Sequence, residues 1–428
     1  MQSPLLEIRD LKVYFRILKG TVHAVDGVTF SLERGGTMGL VGESGCGKTT
    51  TAYSIMRLLP NNAMIVGGEI RFDGQTVATT DLPTEVLEIL RSDSWASELA
   101  SAIQRWEVKL QGLTMAGARV IESERYLAEQ RNFLEELKEA LAGPAGSADG
   151  ALRERMRRLT LRQVNSFLKA RLRAKRQAEI EKKLAALRWK RVSMIFQSAM
   201  NAFNPVYRVG DQIAEAILVH EDVTRAQARA RVLDLFDLVG IDRSRVDGYP
   251  HEFSGGMRQR SMIAMALALN PQLLIADEPT TALDVIMQDR ILAEIRDLQR
   301  KLGIGMMIIT HDISVVAEVA EKIGVMYAGK LAEYGNIVDV FDRPAHPYTI
   351  GLMNAFPSIK GARKRLQSIP GSPPDLSRPP TGCRFHPRCQ FAQEVCKRVE
   401  PPQVEITPNH YSQCHFAREL YEGSLKET

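Results

Sequence analysis

Apolar positions along this chain follow two periods. Short runs of β-branched and aliphatic residues, closed off by Gly, Asp or charged positions, predict strands near Leu5–Val13, Val22–Leu32, Met38–Val41 and Gly68–Phe72. Four more are predicted at Val192–Phe196, Leu273–Ala276, Met306–Thr310 and Ile323–Tyr327. Asp73-Gly74 reads as a turn. Helical segments fill the stretch from Phe196 to about Ala268. Strands alternating with helices predict a parallel sheet with helices on its faces.

Between the fourth and fifth predicted strands the period changes. Thr76–Leu187 is rich in Ala, Glu, Leu, Arg and Lys, all good helix formers. Val120, Leu127, Leu134 and Leu141 recur every seven residues, Gly143–Gly150 breaks the pattern, and Leu152, Leu159, Leu168, Leu172, Ile180, Leu184 and Leu187 resume it. This predicts an inserted antiparallel helical hairpin or short coiled coil. After about Pro344 the chain becomes Pro-rich, and Ile369–Pro374 reads as linker. The expected organisation is a main domain from residues 1–75 and 188–345, an insertion at 76–187 and a C-terminal extension at 346–428.

The chain has 428 residues, 44% hydrophobic and 25% charged, which suits a soluble globular protein. It contains no run of about 18 apolar residues, so no membrane span is expected. The N-terminus lacks a basic-then-apolar leader, so a cytoplasmic location is expected, where structural disulfides are rare. The net charge of +5 is unevenly spread. Ala151–Arg191 holds fifteen Lys or Arg and three Asp or Glu, so the rest of the chain is net acidic.

The candidate chemistry starts at Gly42-Glu43-Ser44-Gly45-Cys46-Gly47-Lys48-Thr49, with Thr50 after it. This matches the G-x-x-x-x-G-K-[ST] phosphate loop, between a predicted strand and a helical pattern as the motif requires. Its backbone N–H groups and the helix N-terminus would face phosphate oxygens, with Lys48 reaching the β- and γ-phosphates and Thr49 coordinating Mg²⁺. Cys46 reads as a small residue filling the loop. Asp277 ends an apolar strand, where its carboxylate can hold the Mg²⁺ shell. Glu278 can polarise an attacking water as general base. Gln197 can contact Mg²⁺ or that water, and His311 the γ-phosphate. Ser254, Gly255 and Gly256 open a further helix, a second anion-binding N-terminus.

In this order the phosphate loop, Gln197, Ser254-Gly255-Gly256-Met257-Arg258-Gln259, Asp277-Glu278, Ala282-Leu283-Asp284 and His311 resemble the ATP-binding subunit of an ABC transporter. The resemblance implies a P-loop NTPase fold of α/β class: a parallel sheet core, an antiparallel β subdomain and a helical signature subdomain. Asn204-Pro205-Val206-Tyr207, His346-Pro347-Tyr348-Thr349 and Cys383-Arg384-Phe385-His386-Pro387-Arg388-Cys389 narrow the likeness to the oligopeptide/dipeptide importer ATPases. The insertion is not part of that family's usual pattern. The family implies an ATPase at the cytoplasmic face of the membrane that works with two permease subunits and an extracytoplasmic solute-binding protein. It also implies head-to-tail pairing, in which the signature residues cover ATP held by another chain. Phe253–Arg260, with Met257 after the glycine pair, resembles one of two non-identical ATPase subunits. Phe15, or failing it Tyr14, would stack on adenine, and Asp284 would mark the loop between the paired chains. Ser198–Arg208 would line the groove for the permease.

Cys383, Cys389, Cys396 and Cys414 are four of the five cysteines. Four thiols in a cytoplasmic tail favour metal over disulfides, and the absence of C-x-x-C makes a zinc ribbon a poor fit. The resemblance implies a [4Fe–4S] cluster, with zinc or free or oxidised thiols as alternatives. The insertion reads either as a solvated hairpin or as a basic docking arm for anionic lipid, an acidic protein or nucleic acid. Peptide is the expected solute, with oligosaccharide or nickel import as alternatives. A soluble ABC ATPase acting on nucleic acid is the competing class. Against it stand the insertion's place before Gln197 and the cysteines' place after His311.

Overall fold

The computed structural model describes residues 3–18, 20–79, 184–197, 202–280, 285–355 and 369–424. The chain divides into two compact units, residues 1–79 with 183–428, and residues 80–182. The second unit, which carries the expected hairpin, lies outside the described residues.

The strands of the first unit are β1 (Leu6–Ile17), β2 (Gly20–Leu32), β3 (Thr37–Val41), β4 (Ala63–Phe72), β5 (Gln75–Thr79), β6 (Val192–Ile195), β7 (Leu273–Asp277), β8 (Gly305–Thr310), β9 (Lys322–Tyr327), β10 (Lys330–Asn336), β11 (Val404–Thr407) and β12 (His410–Ser412). Its longer helices are α1 (Lys48–Met56), α2 (Val209–His220), α3 (Arg225–Leu238), α4 (Gly255–Leu267), α5 (Val285–Leu302), α6 (Ile313–Val319), α7 (Ile337–Asp342) and α8 (Pro347–Asn354).

One sheet is antiparallel, in the order β2-β1-β4-β5. The other has the order β11-β12-β10-β9-β3-β8-β7-β6. Neighbours from β9 to β6 are parallel. Every residue of β3, β6, β7 and β8 is buried, and most are apolar, as suits strands covered on both faces. On one face α6 packs so tightly that a Cβ on Gly39 of β3 would fall 2.1 Å from Val316 Cγ1. Ile213, Phe236, Ile263 and Ile291 from α2–α5 share one core cluster with Leu274 and Met306. Thr224 and Gln227 form a reciprocal capping box that starts α3.

Three expectations are adjusted. Strand β1 runs on to Ile17 rather than stopping at Val13, and β4 begins at Ala63. Strand β5 continues past the Asp73-Gly74 turn to Thr79, so the first residues assigned to the insertion pair with β4. The C-terminal extension is more than the expected linker and cysteine cluster. Its β11–β12 hairpin joins the main sheet antiparallel to β10, with Glu333 opposite Ser412. The sheet is therefore mixed, parallel at its centre and antiparallel at this edge.

The seam is polar and buried. Glu333 accepts hydrogen bonds from Ala345 N (2.7 Å), His346 N (3.1 Å) and His410 Nε2 (2.7 Å). His346 caps α8, its Nδ1 accepting from Tyr348 N at 3.0 Å. Burial pushes the His346 imidazole down to about 3. In the unfolded chain it takes up a proton near its ordinary value of about 6.5. Only the unfolded state is protonated between these values, so stability falls as pH drops through that window, by up to ~1.4 kcal/mol per pH unit. Asn can cap in its place without a titrating group. H346N is expected to flatten the acid side of the urea-unfolding profile.

Candidate functional site

The loop after β3 closes on itself before α1 begins. Gly42 and Gly47 are the positions where only glycine fits: a Cβ would meet Met326 O at 2.1 Å and Ala24 O at 2.3 Å, and Gly47 has φ 107°. Lys48 is buried, and its ammonium donates to Gly42 O (2.7 Å) and Glu43 O (3.0 Å) across the loop. Ser44 and Gly45 form the exposed tip, while Cys46 is buried beneath it. Burial pushes the Cys46 thiol above its ordinary value, which suits a space-filling residue. The loop is thus a ring of backbone around one lysine, opening onto a helix N-terminus, the architecture that binds phosphate. Strain at residue 47 alone would cost of order 1–3 kcal/mol. G47A is therefore expected to weaken ATP binding about tenfold or more, as read by calorimetric titration.

The neighbouring strands bring their C-terminal ends to the same place. Thr49 Oγ1 donates to Asp277 Oδ1 at 3.2 Å, joining α1 to the end of β7. Asp277 is fully buried, and its Oδ2 has no hydrogen-bond partner among the described residues. Burial pushes its pKa up to about 6, against the Thr49 hydrogen bond. A buried, half-unsatisfied carboxylate beside a hydroxyl fits a divalent cation, since a cation supplies the missing partner and favours the ionised form.

Glu278 follows in a left-handed turn, φ 47°, fixed by its N–H donating to Ile309 O at 2.8 Å. That turn aims its carboxylate between two groups from adjacent strand ends. Gln197 Nε2, after β6, donates to Oε2 at 2.7 Å, and His311 Nδ1, after β8, meets Oε1 at 3.1 Å. A carboxylate can only accept, so Nδ1 carries the proton in this contact. His311 is well exposed and Glu278 much less so.

The Ser254 signature starts α4. Ser254 is the N-cap, its hydroxyl accepting from Met257 N at 3.3 Å, with Gly255 and Gly256 at the first helical positions. Ser254 is exposed, whereas Gly256 is buried against Met287, whose terminal Cε would stand 2.4 Å from an added Cβ and have to move aside. Met257 packs half-buried on the helical core. Arg258 is half-buried, its guanidinium near Pro250 O at 3.4 Å. Gln259 is buried. Arg260 donates to Val239 O, Gly240 O and Glu294, tying α4 to the end of α3 and to α5. Among the described residues no hydrogen bond joins this helix to the phosphate loop of the same chain.

Of the two aromatic candidates, Tyr14 is buried, stacked on His23 with ring centroids 4.1 Å apart and donating to Asp26 Oδ1 at 2.9 Å. Phe15, on the other face of β1, is only half-buried. Thr50 lies on α1, its carbonyl accepting from Ser54 Oγ. Asp284 lies outside the described residues.

Cys383, Cys389, Cys396 and Cys414 line one cavity, together with Phe385, Phe391 and Phe416. Burial, and after it the neighbouring cysteines, push up the thiols of Cys383, Cys389 and Cys414, the last two to about 12. Among the described residues no three His, Cys, Asp or Glu side chains converge closely enough to hold a single metal ion.

Two groups that motif reading did not single out also reach the phosphate loop. Glu43 N donates to Tyr348 OH at 3.0 Å, and the Glu43 carboxylate is held by Arg388. Both partners lie more than 300 residues further along the chain, where no local spacing can reveal them.

Comparison with known proteins places this site in a family context. Residues 25–151 and 169–281 match the ABC transporter family, and residues 332–396 match the oligopeptide/dipeptide transporter C-terminal region. The chain is 38% identical to the probable peptide ABC transporter ATP-binding protein y4tR of Sinorhizobium fredii, over 97% of this chain and 96% of that one. It is 37% identical to the oligopeptide transport ATP-binding protein OppD of Escherichia coli, covering 96% and 92%. It is 36% identical to the dipeptide transport ATP-binding protein DppD of Bacillus subtilis, covering 96% and 93%.

Proposed function

Because the chain belongs to the ABC transporter ATP-binding proteins of the oligopeptide/dipeptide family, we propose that it hydrolyses ATP to energise the import of peptides through a membrane permease. The observation that carries the mechanism is the row of strand ends. β3, β8, β7 and β6 are neighbours in that order, and from their C-terminal ends come the phosphate loop, His311, Asp277-Glu278 and Gln197. The crevice at the carboxyl ends of parallel strands is where such sheets bind ligands.

In this reading Lys48 and the loop amides bind the ATP phosphates. Thr49 and Asp277, with Gln197, would hold Mg²⁺, which when bound neutralises phosphate charge and aligns the oxygens around phosphorus. Glu278 accepts the proton of the attacking water. Gln197 and His311 hold its carboxylate from both sides, and His311 is exposed enough to contact the γ-phosphate. Phe15, half-buried on β1, supplies the ring that stacks on adenine, in preference to the buried Tyr14.

The Ser254–Gln259 helix start serves the ATP of a second, non-identical ATPase chain. The exposure of Ser254, and the absence among the described residues of a hydrogen bond from this helix start to the chain's own phosphate loop, support that pairing. ATP then favours the closed pair and hydrolysis releases it, which biases the permease between two states. Two permease subunits and an extracytoplasmic solute-binding protein complete the system. Among the described residues no helix is long and apolar enough to cross a membrane, in keeping with a peripheral subunit at the cytoplasmic face. Val206 and Tyr207 are exposed on a loop that Gln212 braces through Asn204 and Tyr207, which suits a permease contact.

The four-cysteine cavity fits an iron–sulfur group. Four cysteines line that one cavity, the donor set such a group takes, although among the described residues no three of them stand at the spacing of a single bound ion. Bound there, it would cross-link the extension. Iron and labile-sulfide analysis of anaerobically purified protein tests this; bound zinc or metal-free thiols would overturn it.

The experiment that tests the function is isolation of the intact complex from native membranes. Permease partners and peptide-stimulated ATP hydrolysis are expected. DNA-stimulated hydrolysis without membrane partners would overturn the reading. Stimulation by an oligosaccharide or nickel instead of peptide would overturn the solute.

A further inference from the structure

The His346–Thr349 and Cys383–Cys389 stretches converge on one residue of the phosphate loop. Arg388 is almost fully buried, and its guanidinium grips the Glu43 carboxylate with both arms, Nη1 to Oε2 at 2.7 Å and Nη2 to Oε1 at 3.0 Å. The fork is itself fixed. Nε donates to Pro370 O at 2.7 Å, Nη1 also reaches Tyr327 OH at 3.3 Å, and the guanidinium stands over the Tyr327 ring at 5.6 Å. From the same side the fully buried Tyr348 accepts the Glu43 N–H at 3.0 Å. Glu43 thus turns its side chain and its amide away from the phosphate site. Its carbonyl faces inward, accepting from Lys48 Nζ at 3.0 Å and from Cys46 N at 3.3 Å.

We propose that Arg388 is a positioning residue of the ATP site, supplied by the C-terminal extension, which sets the phosphate loop and its lysine through Glu43. A planar, bidentate, buried fork suits this task, because it fixes the direction of a carboxylate as well as its distance. A lysine could match the charge but not the geometry. The proposal rests on the ATPase reading above and adds to it a part of the chain remote in sequence from the phosphate loop.

Charge alone makes the opposite prediction at one position. Neutralising Glu43 removes a negative charge near ATP phosphates, so plain electrostatics expects E43Q to bind ATP more tightly. The positioning role expects it to bind about tenfold more weakly, the fold-change that matches loss of a charge-assisted hydrogen-bond pair. R388Q is expected to weaken binding by a similar factor, R388K to recover only part of it, and the double variant E43Q/R388Q to be no worse than either single one.

The test measures Mg-ATP affinity of the full-length chain by calorimetry, and KM and kcat for ATP separately, with folded content checked by circular dichroism. A rise in KM that outweighs any fall in kcat, with non-additive penalties, supports the proposal. Tighter or unchanged ATP binding by E43Q overturns it, as do penalties that add. Should R388Q fail to fold, E43Q, which alters one partly exposed side chain, decides alone. Failure of the unaltered chain to bind ATP would instead overturn the ATPase reading.

Discussion

Replacing Glu278 by Gln is expected to lower ATP turnover by about a hundredfold to ten-thousandfold, the usual contribution of a positioned general base, while ATP binding persists. The substitution keeps the size of the side chain and its place in the left-handed turn after β7, which the backbone bond to Ile309 fixes. The one carbonyl oxygen of the new side chain can accept from Gln197 or His311 but not both, so the other must turn its amide or move its ring proton to accept from the new NH2 group. What the amide cannot do is take a proton from water. Phosphate release by the assembled complex, beside calorimetric ATP binding, separates the two effects. Near-normal hydrolysis would remove Glu278 as the base and turn attention to His311.

The second large effect is structural. Replacing Glu333 by Ala is expected to cost about 3–5 kcal/mol, the range for breaking a buried charged contact by removing one partner. Glu333 is 1% exposed, and its loss strands the amides of Ala345 and His346 and the imidazole of His410 at once. These three donors pin α8 and the β12 strand to the edge of the sheet. Urea unfolding measures the cost. Limited proteolysis is expected to release the residues after the β10 edge before the rest of the unit is cut. A loss below about 1 kcal/mol, the size of an average substitution, would mean that the seam relaxes around water.

The sequence makes the centre of the sheet and the catalytic row easy to read, for one physical reason. Strands covered on both faces are mainly apolar, so the residues at their ends stand out against them: Gly42 after Val41, Asp277 after Ala276, His311 after Thr310. The edge is harder. β10 and the β11–β12 hairpin are short and contain Glu333, Tyr334 and His410, a composition that alone does not suggest burial. Glu333 and His410 are buried because they pair with each other, and Tyr334 because its hydroxyl reaches Ser31 O, contacts between residues distant in sequence. β5 was hidden by the helix-forming composition that follows it. The contacts of Arg388 and Tyr348 with Glu43 could not be inferred, although all three residues lie within stretches that carry the family resemblance. A motif announces its residue types but not their partners.

The order of synthesis gives the Arg388–Glu43 clamp a further meaning. The phosphate loop leaves the ribosome 345 residues ahead of Arg388, tens of seconds earlier at ordinary elongation rates of ~5–20 residues per second. Until then the loop has its glycines and its lysine but neither Tyr348 nor Arg388 to hold Glu43. A chain not yet extended past Arg388 would therefore grip nucleotide poorly, and competence to burn fuel would wait on synthesis of that clamp residue.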